Sequence, residues 1–343
     1  NNPQIKPLRI EKETFFKRIN SYSIDFSEVK GQYLAKRAIE IAVSGGHNIA
    51  MIGPAGSGKT MLAKRIPTIM PDLVLEEALE ITKIQSATGL FLNKDKVATS
   101  RPFRDPHHTI SNIGLIGGGS IPVPGEISLA HQGVLFLDEL PEFSRESLES
   151  LRQPLEEGRI NLCRIKKSFI FPASFILVAA LNPCPCGFLG DPNKRCRCST
   201  TKVENYIGKI SGPLLDRIDI HIQLPRVKYK DLSETKDAEP SFQIKARVEK
   251  VRHIQRERFK HIGKGISYNA QMDNKLIKNF CLLDNKASEI LSLALIELGL
   301  SARAYDKILK VSRTIADLAG SEHIQREHVS EAVQYRILDR RFV

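Results

Sequence analysis

The sequence predicts an α/β fold with a mostly parallel sheet, followed by a small all-α domain. Short apolar strands alternate with helical patterns in the first two thirds of the chain, an order typical of parallel sheets with helices on both faces. A glycine-rich turn joins one of these strands to a helix, and only helical patterns follow Ser241. We therefore expect a linker over residues 1–23, an α/β core over 24–229 and a helical domain over 230–343.

The first elements can be placed from apolar periodicity and from helix-breaking residues. They are a helix over 27–45, a strand over 48–52 and a helix over 59–66 that Pro67 ends. Further apolar strands are predicted at 133–137, 175–181 and 218–224. In the helical domain, one helix is expected to start after a Ser301 cap and to stop at Gly320.

The composition excludes a membrane-spanning protein and favours a polyanionic partner. The longest clean apolar run is Phe175–Leu181, far short of the ~20 residues that cross a bilayer. Lys and Arg total 51 and Asp and Glu total 39, so the net charge is +12. This charge favours nucleic acid first and an anionic membrane surface second, although a nucleotide-binding protein can simply be somewhat basic. No secretory signal opens the chain, so we expect a cytoplasmic protein, and the start at Asn1 indicates a missing preceding segment.

A phosphate-binding loop lies between the first strand and the helix after it. The motif G-x-x-x-x-G-K-[ST] is formed by Gly53, Pro54, Ala55, Gly56, Ser57, Gly58, Lys59 and Thr60. Its glycines let successive backbone N–H groups face phosphate oxygens at the positive end of the helix dipole. We expect Lys59 to reach the β- and γ-phosphates of ATP and Thr60 to give an oxygen to Mg²⁺. The alternative is a merely flexible glycine loop.

Polar residues follow two further strands. Asp138 and Glu139 come directly after an apolar strand, at the end where ligands bind in open α/β sheets. We expect Asp138 to hold Mg²⁺ and Glu139 to orient and polarise the attacking water, which favours hydrolysis; an acidic helix start is the alternative. Asn182 is a candidate to position the same water, although an Asn before Pro183 is also common turn chemistry.

Four of the six cysteines lie within fifteen residues of one another. They are Cys184, Cys186, Cys196 and Cys198. Zn²⁺ takes four thiolates tetrahedrally, and such a closed shell is structural, so we expect a zinc staple in this Gly-, Pro- and Lys/Arg-rich loop. The single residue inside each pair is shorter than the usual spacer of about two to four residues. Reduced thiols or one disulfide remain as alternatives.

These motifs together resemble the AAA+ ATPases, and the stretch Gly212–Asp219 adds to the likeness. Similarity to the magnesium-chelatase-like branch lies in the stretches 101–108, 117–126, 182–187 and 301–317. Within that branch the chain resembles the ComM (YifB) family of competence proteins. Members of that family carry an additional N-terminal domain similar to the accessory fold of the Lon protease, and we expect residues 1–343 to lack it.

The resemblance implies an AAA+ core with a helical lid, assembled as an ATP-hydrolysing homo-oligomeric ring, expected to be a hexamer. It implies movement on single- or double-stranded DNA, independent of sequence, and branch migration during recombination of incoming DNA in natural transformation. It also implies that Arg217 enters the ATP site of the neighbouring subunit as an arginine finger. Arg303 matches the residue that contacts the γ-phosphate from the lid. The alternatives are an ion pair of Arg217 with Asp216 or Asp219, and a surface position for Arg303.

Two segments are candidates to face DNA. Residues 158–169 are expected to form a β-hairpin, and in the related branch a hairpin here projects into the pore of the ring. Its basic residues Arg164, Lys166 and Lys167 would hold phosphates without reading sequence, or would only protect an exposed strand edge. Residues 111–126 interrupt a helix at the position of a second pore loop.

Other interpretations remain open. His107 and His108 precede the second loop, and a packed or DNA-contacting role is expected for them rather than metal binding. A chelatase-type motor acting on a tetrapyrrole and a protein-remodelling ATPase are the alternative functions, and the basic charge and the cysteine loop argue against the first. A nucleotide-gated scaffold without turnover is a third.

Overall fold

The computed structural model describes residues 22–89, 97–164, 167–191, 193–226, 238–262 and 265–336. Within these ranges a parallel sheet packed by helices is followed by a group of helices, which confirms the predicted fold class. The predicted linker lies almost wholly outside the described residues. The predicted boundary at residues 229 and 230 falls outside them as well, so the domain limits stay predictions.

Strands and helices are interspersed up to residue 223, and the described residues beyond it form helices without a further strand. The strands are β1 (Ile49–Ile52), β2 (Phe103–Arg104), β3 (Gly117–Gly118), β4 (Val123–Pro124), β5 (Val134–Leu137), β6 (Arg159–Arg164), β7 (Lys167–Pro172), β8 (Ile176–Leu181) and β9 (Ile220–Gln223). The helices before β9 are α1 (Tyr33–Gly45), α2 (Lys59–Ile69), α3 (Leu75–Ala87), α4 (Asn112–Ile116), α5 (Glu126–Leu129), α6 (Arg145–Ser150), α7 (Arg152–Glu157), α8 (Thr200–Ile207) and α9 (Gly212–Leu215). The helices after β9 are α10 (Ser241–Phe259), α11 (Asn274–Phe280), α12 (Asn285–Leu298), α13 (Ala302–Leu318) and α14 (Arg326–Gln334). Across the described ranges, no helix has both the length and the apolar character needed to cross a membrane.

The main sheet has five parallel strands in the order β2-β5-β8-β1-β9. In its centre, Ile49 of β1 lies beside Val178 of β8 and Ile220 of β9. Because the strands are parallel, the residues that follow β1, β5 and β8 meet at one edge, which we call the carboxyl edge. The residues that precede β8 and β9 lie at the opposite, amino edge.

Both faces of the sheet are buried, as expected for a parallel sheet. Ile49 and Met51 of β1 contribute to one core, which also contains Ile308 of α13. Ala50 and Ile52 contribute to a second core on the other face. The helices after β9 therefore share a core with the sheet, which fixes their position relative to it.

Two helix boundaries differ from the sequence prediction. Phe26–Glu28 is a separate 3₁₀ turn, and α1 begins only at Tyr33, because Gln32 has a left-handed backbone conformation with φ 52°. The predicted stop of α2 at Pro67 is wrong, since the helix continues through it. Pro67 stands in the last turn, where its ring removes only one backbone hydrogen bond before the helix ends.

Buried polar contacts join α13 to the amino edge. Lys307 Nζ lies 2.5 Å from Asp219 Oδ1, and His47 Nε2 lies 2.8 Å from Thr314 Oγ1. Burial opposes the ionisation of Asp219, but Lys307, His47 and a backbone N–H outweigh it and lower the pKa of this carboxyl to about 2. Ser301 caps α13, as predicted. The start of this helix is thereby held close to the amino edge.

Candidate nucleotide-binding site

The predicted phosphate-binding loop connects β1 to α2 at the carboxyl edge. Gly56 and Gly58 have φ angles of 78° and 91°, in a region that side chains disfavour. A Cβ atom on Gly53 would lie 2.6 Å from the carbonyl oxygen of Leu224 and 2.8 Å from Ser57 Oγ. The loop therefore needs glycine at these positions, and it turns its backbone tightly before the α2 N-terminus, as a phosphate cradle requires.

Lys59 contacts the start of this loop and the residue that follows β8. Its Nζ atom donates to the carbonyl oxygens of Gly53, at 2.7 Å, and Pro54, at 3.1 Å. It also donates to Asn182 Oδ1 at 3.1 Å. Burial lowers the pKa of Lys59, and the nearby carboxylates of Asp138 and Glu139 oppose that shift. A lysine partly stripped of water beside a phosphate cradle is well placed to pair with phosphate oxygens.

Thr60 and Asp138 form a second contact across the carboxyl edge. Thr60 Oγ1 donates to Asp138 Oδ2 at 2.7 Å, and Asp138 Oδ1 accepts from the backbone N–H of Glu139 at 2.9 Å. A hydroxyl and a carboxylate beside the lysine of the cradle are the hard oxygen donors that Mg²⁺ prefers. The residues present therefore fit an Mg²⁺–nucleotide complex.

Glu139 has an unusual backbone and a partner that the sequence did not reveal. Its φ angle is 53°, a left-handed conformation that is uncommon outside glycine and clusters at functional sites. Its side chain is half exposed, and its Oε2 atom lies 3.5 Å from His108 Nδ1. The His108 ring in turn packs on the His107 ring at a centroid distance of 4.1 Å. The histidine pair was visible in the sequence, but nothing there connected it to Glu139.

Asn182 lies at the end of β8, where the sequence places it. Besides its contact with Lys59, its backbone bonds to the hydroxyl of Tyr206, a nearly buried residue of α8. Burial and the neighbouring acids Glu142 and Glu139 raise the pKa of that hydroxyl. Asn182 is therefore fixed between the phosphate loop and α8.

Arg217 lies at the amino edge, at the opposite end of the sheet from Lys59. Its Nη1 atom donates to the carbonyl oxygen of Pro213 at 2.5 Å, and its Nη2 atom pairs with the Glu156 carboxylate. The alternative weighed for it, a pair with Asp216 or Asp219, is not formed, and the actual partner comes from α7. The Arg217 side chain is mostly buried, so its guanidinium group has a fixed position.

Arg303 also lies at the amino edge, beside the same segment. Its side chain is 61% exposed, and its Nη1 atom is 3.4 Å from Asp216 Oδ2. A groove of about 680 Å³ brings it together with Arg217, Lys307 and Lys310. The expectation that Arg303 contacts a γ-phosphate stays a prediction, and α13 is held at the edge away from the phosphate loop of its own chain. Sequence spacing could not show on which edge α13 packs.

The four cysteines form a compact cluster. Cys184 Sγ lies 3.4 Å from Cys186 Sγ and 3.7 Å from Cys196 Sγ, and the latter two are 3.6 Å apart. All four sulfur atoms, including that of Cys198, lie within 4.8 Å of one another. A disulfide needs about 2.05 Å, whereas four thiolates about 2.3 Å from a tetrahedral Zn²⁺ are about 3.8 Å apart. The cluster has the spacing of a metal site and not that of a disulfide.

The candidate DNA-facing segments are described in part. The predicted hairpin is formed by the antiparallel strands β6 and β7, whose backbone register places Arg164 opposite Lys167. Lys166 lies outside the described residues, so the hairpin tip stays a prediction. The other segment folds as α4, the short β3–β4 pair and α5, with Ile121 strongly exposed.

Comparisons with known proteins agree with this geometry. Residues 25–232 match the family model "Magnesium chelatase, subunit ChlI", and residues 238–336 match the model of its C-terminal part. The chain is 47% identical to the uncharacterized protein YifB of Escherichia coli over 92% of this chain and 61% of that protein. It is 45% identical to the competence protein ComM of Haemophilus influenzae over 99% of this chain and 66% of that protein.

A more distant match covers less of both chains. The magnesium-chelatase 67 kDa subunit of Chlorobaculum parvum is 26% identical over 47% of this chain and 23% of that protein. The chain thus spans 61% to 66% of the length of the two more similar relatives.

Proposed function

This chain belongs to the magnesium chelatase subunit ChlI family, in the group of the ComM and YifB proteins, and from that premise we propose that it is a ring-forming, ATP-driven motor that acts on DNA. The observation that carries the proposal is the division of the candidate ATP site between opposite edges of one sheet. The residues suited to bind nucleotide are at the carboxyl edge, and the two candidate arginines are at the amino edge. Such a site is complete only between two copies of the chain.

At the carboxyl edge the roles follow from the contacts. The backbone of the loop would hold the phosphates and Lys59 would pair with the β- and γ-oxygens, while Thr60 and Asp138 would hold Mg²⁺. When bound, Mg²⁺ neutralises charge on the phosphate oxygens. Glu139 would accept a proton from the attacking water, and the Asn182 amide would orient that water.

At the amino edge the arginines would serve the neighbouring subunit. A fixed guanidinium group stabilises the charge of the transferring phosphoryl group, and in comparable systems it contributes roughly 10³–10⁵ in rate. Arg217 has the fixed position that this role needs. Arg303 lies beside it in the same groove and is exposed, so we infer that it reaches the same neighbouring nucleotide. Hydrolysis would then depend on assembly, and a hexamer is the expected ring.

DNA is the polymer along which we propose that this motor moves. One relative is named a competence protein, and the net charge of +12 suits a polyanion. We therefore propose branch migration during recombination of incoming DNA in natural transformation, in the cytoplasm. The basic hairpin residues Arg164, Lys166 and Lys167 would contact phosphates in the pore.

The cysteine cluster is proposed to hold a structural Zn²⁺. Its four sulfur atoms have the spacing of a tetrahedral site, and Zn²⁺ would hold all four as thiolates. The loop begins directly after Asn182, and a Cβ on Gly187 would lie 3.6 Å from the Cβ of Ala55. Zinc would thereby hold Asn182 in place beside the phosphate loop.

The deciding experiment measures ATP hydrolysis with and without single-stranded and duplex DNA. We expect stimulation of several-fold by DNA and binding that weakens steeply with salt. The match to a magnesium-chelatase subunit favours a tetrapyrrole chelatase motor as the second candidate. No stimulation and no salt-sensitive binding, at protein concentrations where the ring forms, would favour that candidate or a protein-remodelling ATPase.

A further inference from the structure

The cysteine loop, residues 184–198, presents basic side chains that none of the roles above uses. Lys194, Arg195 and Arg197 are all exposed. Together with Phe188 and Cys186 they line a cleft of about 620 Å³ on the outside of the cluster. The cleft is built by the fold of the loop itself, because the residues between the cysteine pairs must close around the cluster.

Within the described part of the chain, no carboxylate neutralises the positive charge of this cleft. No carboxylate there lies within 4.0 Å of the cationic nitrogens of Lys194, Arg195 or Arg197. The acid of the loop, Asp191, has a buried side chain that pairs with Arg226 at 3.1 Å. Three like charges held together by a closed loop repel one another. The proposed cluster of four thiolates and Zn²⁺ beside them would carry two negative charges, so one net positive charge remains to favour an anionic ligand.

An aromatic ring shares the cleft with these charges. Lys194 Nζ lies over the Phe188 ring at 4.9 Å from its centroid, and the ring is half buried. Cations that hold phosphates and a ring on which a base can stack are the two components of sites for single-stranded nucleic acid. An acidic protein segment would pair with the cations but would leave the ring without a matching surface. A duplex would offer phosphates but no exposed base.

We propose that this cleft, formed by Phe188, Lys194, Arg195 and Arg197, binds single-stranded DNA independently of sequence. The inference rests on the proposed function, because it adds a DNA contact to the same motor. It is separate from the hairpin β6–β7, which joins the amino edge, whereas the cleft extends from the carboxyl edge. The six residues of β8 between them span about 20 Å.

The position of the cleft also connects DNA to the nucleotide. Gly187 precedes Phe188, and a Cβ added to it would lie 3.6 Å from the Cβ of Ala55 in the phosphate loop. A strand bound in the cleft would hold this part of the loop still, next to Asn182 and Lys59. DNA binding here would therefore raise the rate of ATP hydrolysis, and removing the charges would weaken that stimulation while sparing the DNA-independent rate.

The test compares two triple variants of the full chain with equal loss of charge. One is Lys194→Ala/Arg195→Ala/Arg197→Ala in the cleft, and the control is Lys275→Ala/Lys278→Ala/Lys286→Ala, exposed lysines of the helical part. Binding of a labelled oligothymidine is measured over a series of salt concentrations. Each lost phosphate contact lowers the salt slope by about 0.7 for a single strand. We expect the slope to fall by about 2 and the affinity to fall about 10- to 100-fold at 0.1 M salt, for the cleft variant alone.

Further measurements separate the possible outcomes. The zinc content and the DNA-independent ATPase rate of the cleft variant must match those of the unaltered chain. If they do not, Phe188→Ala is used instead, because it removes the stacking surface but no charge. We expect Phe188→Ala to lower oligothymidine affinity by about tenfold. Equal losses in both triple variants, equal losses for single strand and duplex, or a loss of ring assembly without DNA would each overturn the proposal. If the unaltered chain does not bind DNA, the proposed function itself fails, and this result is distinct from a cleft variant that binds normally.

Discussion

The two edges of the central sheet differ in how their polar residues are satisfied. At the carboxyl edge the candidate site residues contact one another, as in Lys59 with Asn182 and Thr60 with Asp138. At the amino edge Arg217 and Arg303 instead contact carboxylates of their own chain, Glu156 and Asp216. The first edge forms a nearly complete binding site, whereas the second presents positive charge without a nucleotide of its own.

On the proposed assignment, one chain would contribute one half to each of two different sites. Parallel strands carry their ends to opposite edges, so residues after β1 and before β9 cannot meet in the same subunit. A head-to-tail arrangement, in which one surface contacts a different surface of the next copy, would bring them together, and the proposed ring is its closed form. The largest predicted effects therefore concern residues that would meet only between copies.

We expect a substitution on either side of the proposed site, at Lys59 or at Arg217, to abolish ATP turnover. Mixing the two variants is expected to restore part of it. Lys59→Ala removes the charge that pairs with the phosphates, and Arg217→Ala removes the fixed guanidinium group, each at a cost of about a thousandfold in kcat. In an equal mixture, a random ring has about a quarter of its interfaces with both halves intact. We expect the mixture to hydrolyse ATP at up to about a quarter of the normal rate per site, measured in a steady-state assay.

The control is the separate assay of each variant at the same total concentration. Arg217→Ala should still bind a fluorescent ATP analogue with near-normal affinity, whereas Lys59→Ala should not. No recovery in the mixture, although both variants assemble together, would refute the assignment of Arg217 to the neighbouring site.

The carboxyl edge could be predicted from sequence, and the amino edge could not. The motif around Lys59 is local, and apolar strands before Asp138 and Asn182 fix which edge those residues reach. The partner of Arg217 is Glu156, sixty-one residues away on α7, and no spacing rule connects them. The contact of Glu139 with His108 and the placement of α13 likewise depend on tertiary packing, which periodicity does not specify.

The position of Arg303 gives the next largest effect. Arg303→Ala is expected to lower kcat about a hundredfold with little change in ATP binding, because one of two arginines at the neighbouring phosphate is lost. Mixed with Lys59→Ala, it should recover up to about a quarter of the activity, as Arg217→Ala does.

A second mixture distinguishes action on the neighbour from action on the same chain. If both arginines serve the neighbour, every subunit in a mixture of Arg217→Ala and Arg303→Ala lacks one of them, and no interface is complete. If Arg303 serves its own chain, about a quarter of the interfaces are complete and activity returns. Recovery in this mixture would therefore show that α13 moves away from the amino edge during turnover.

The cysteine cluster gives the smallest effect, and it tests whether the carboxyl edge is complete without metal. Cys196→Ser/Cys198→Ser is expected to remove bound zinc, measured by elemental analysis, and to lower kcat about tenfold, as loss of outer supporting contacts commonly does. ATP affinity should change by less than about threefold, because Lys59 and Thr60 are positioned by β1 and α2 and not by the cysteine loop.

Cys281→Ser is the matched control, because Cys281 is a buried thiol of the helical part, away from the cluster. It should leave both zinc content and kcat unchanged. Chelation followed by zinc readdition should restore kcat in the unaltered chain and not in the double variant, which separates metal loss from misfolding. If zinc is lost while kcat stays normal, the cluster only closes its own loop. Asn182 would then be held by Lys59 and Tyr206 alone, and the carboxyl edge would need no metal to be complete.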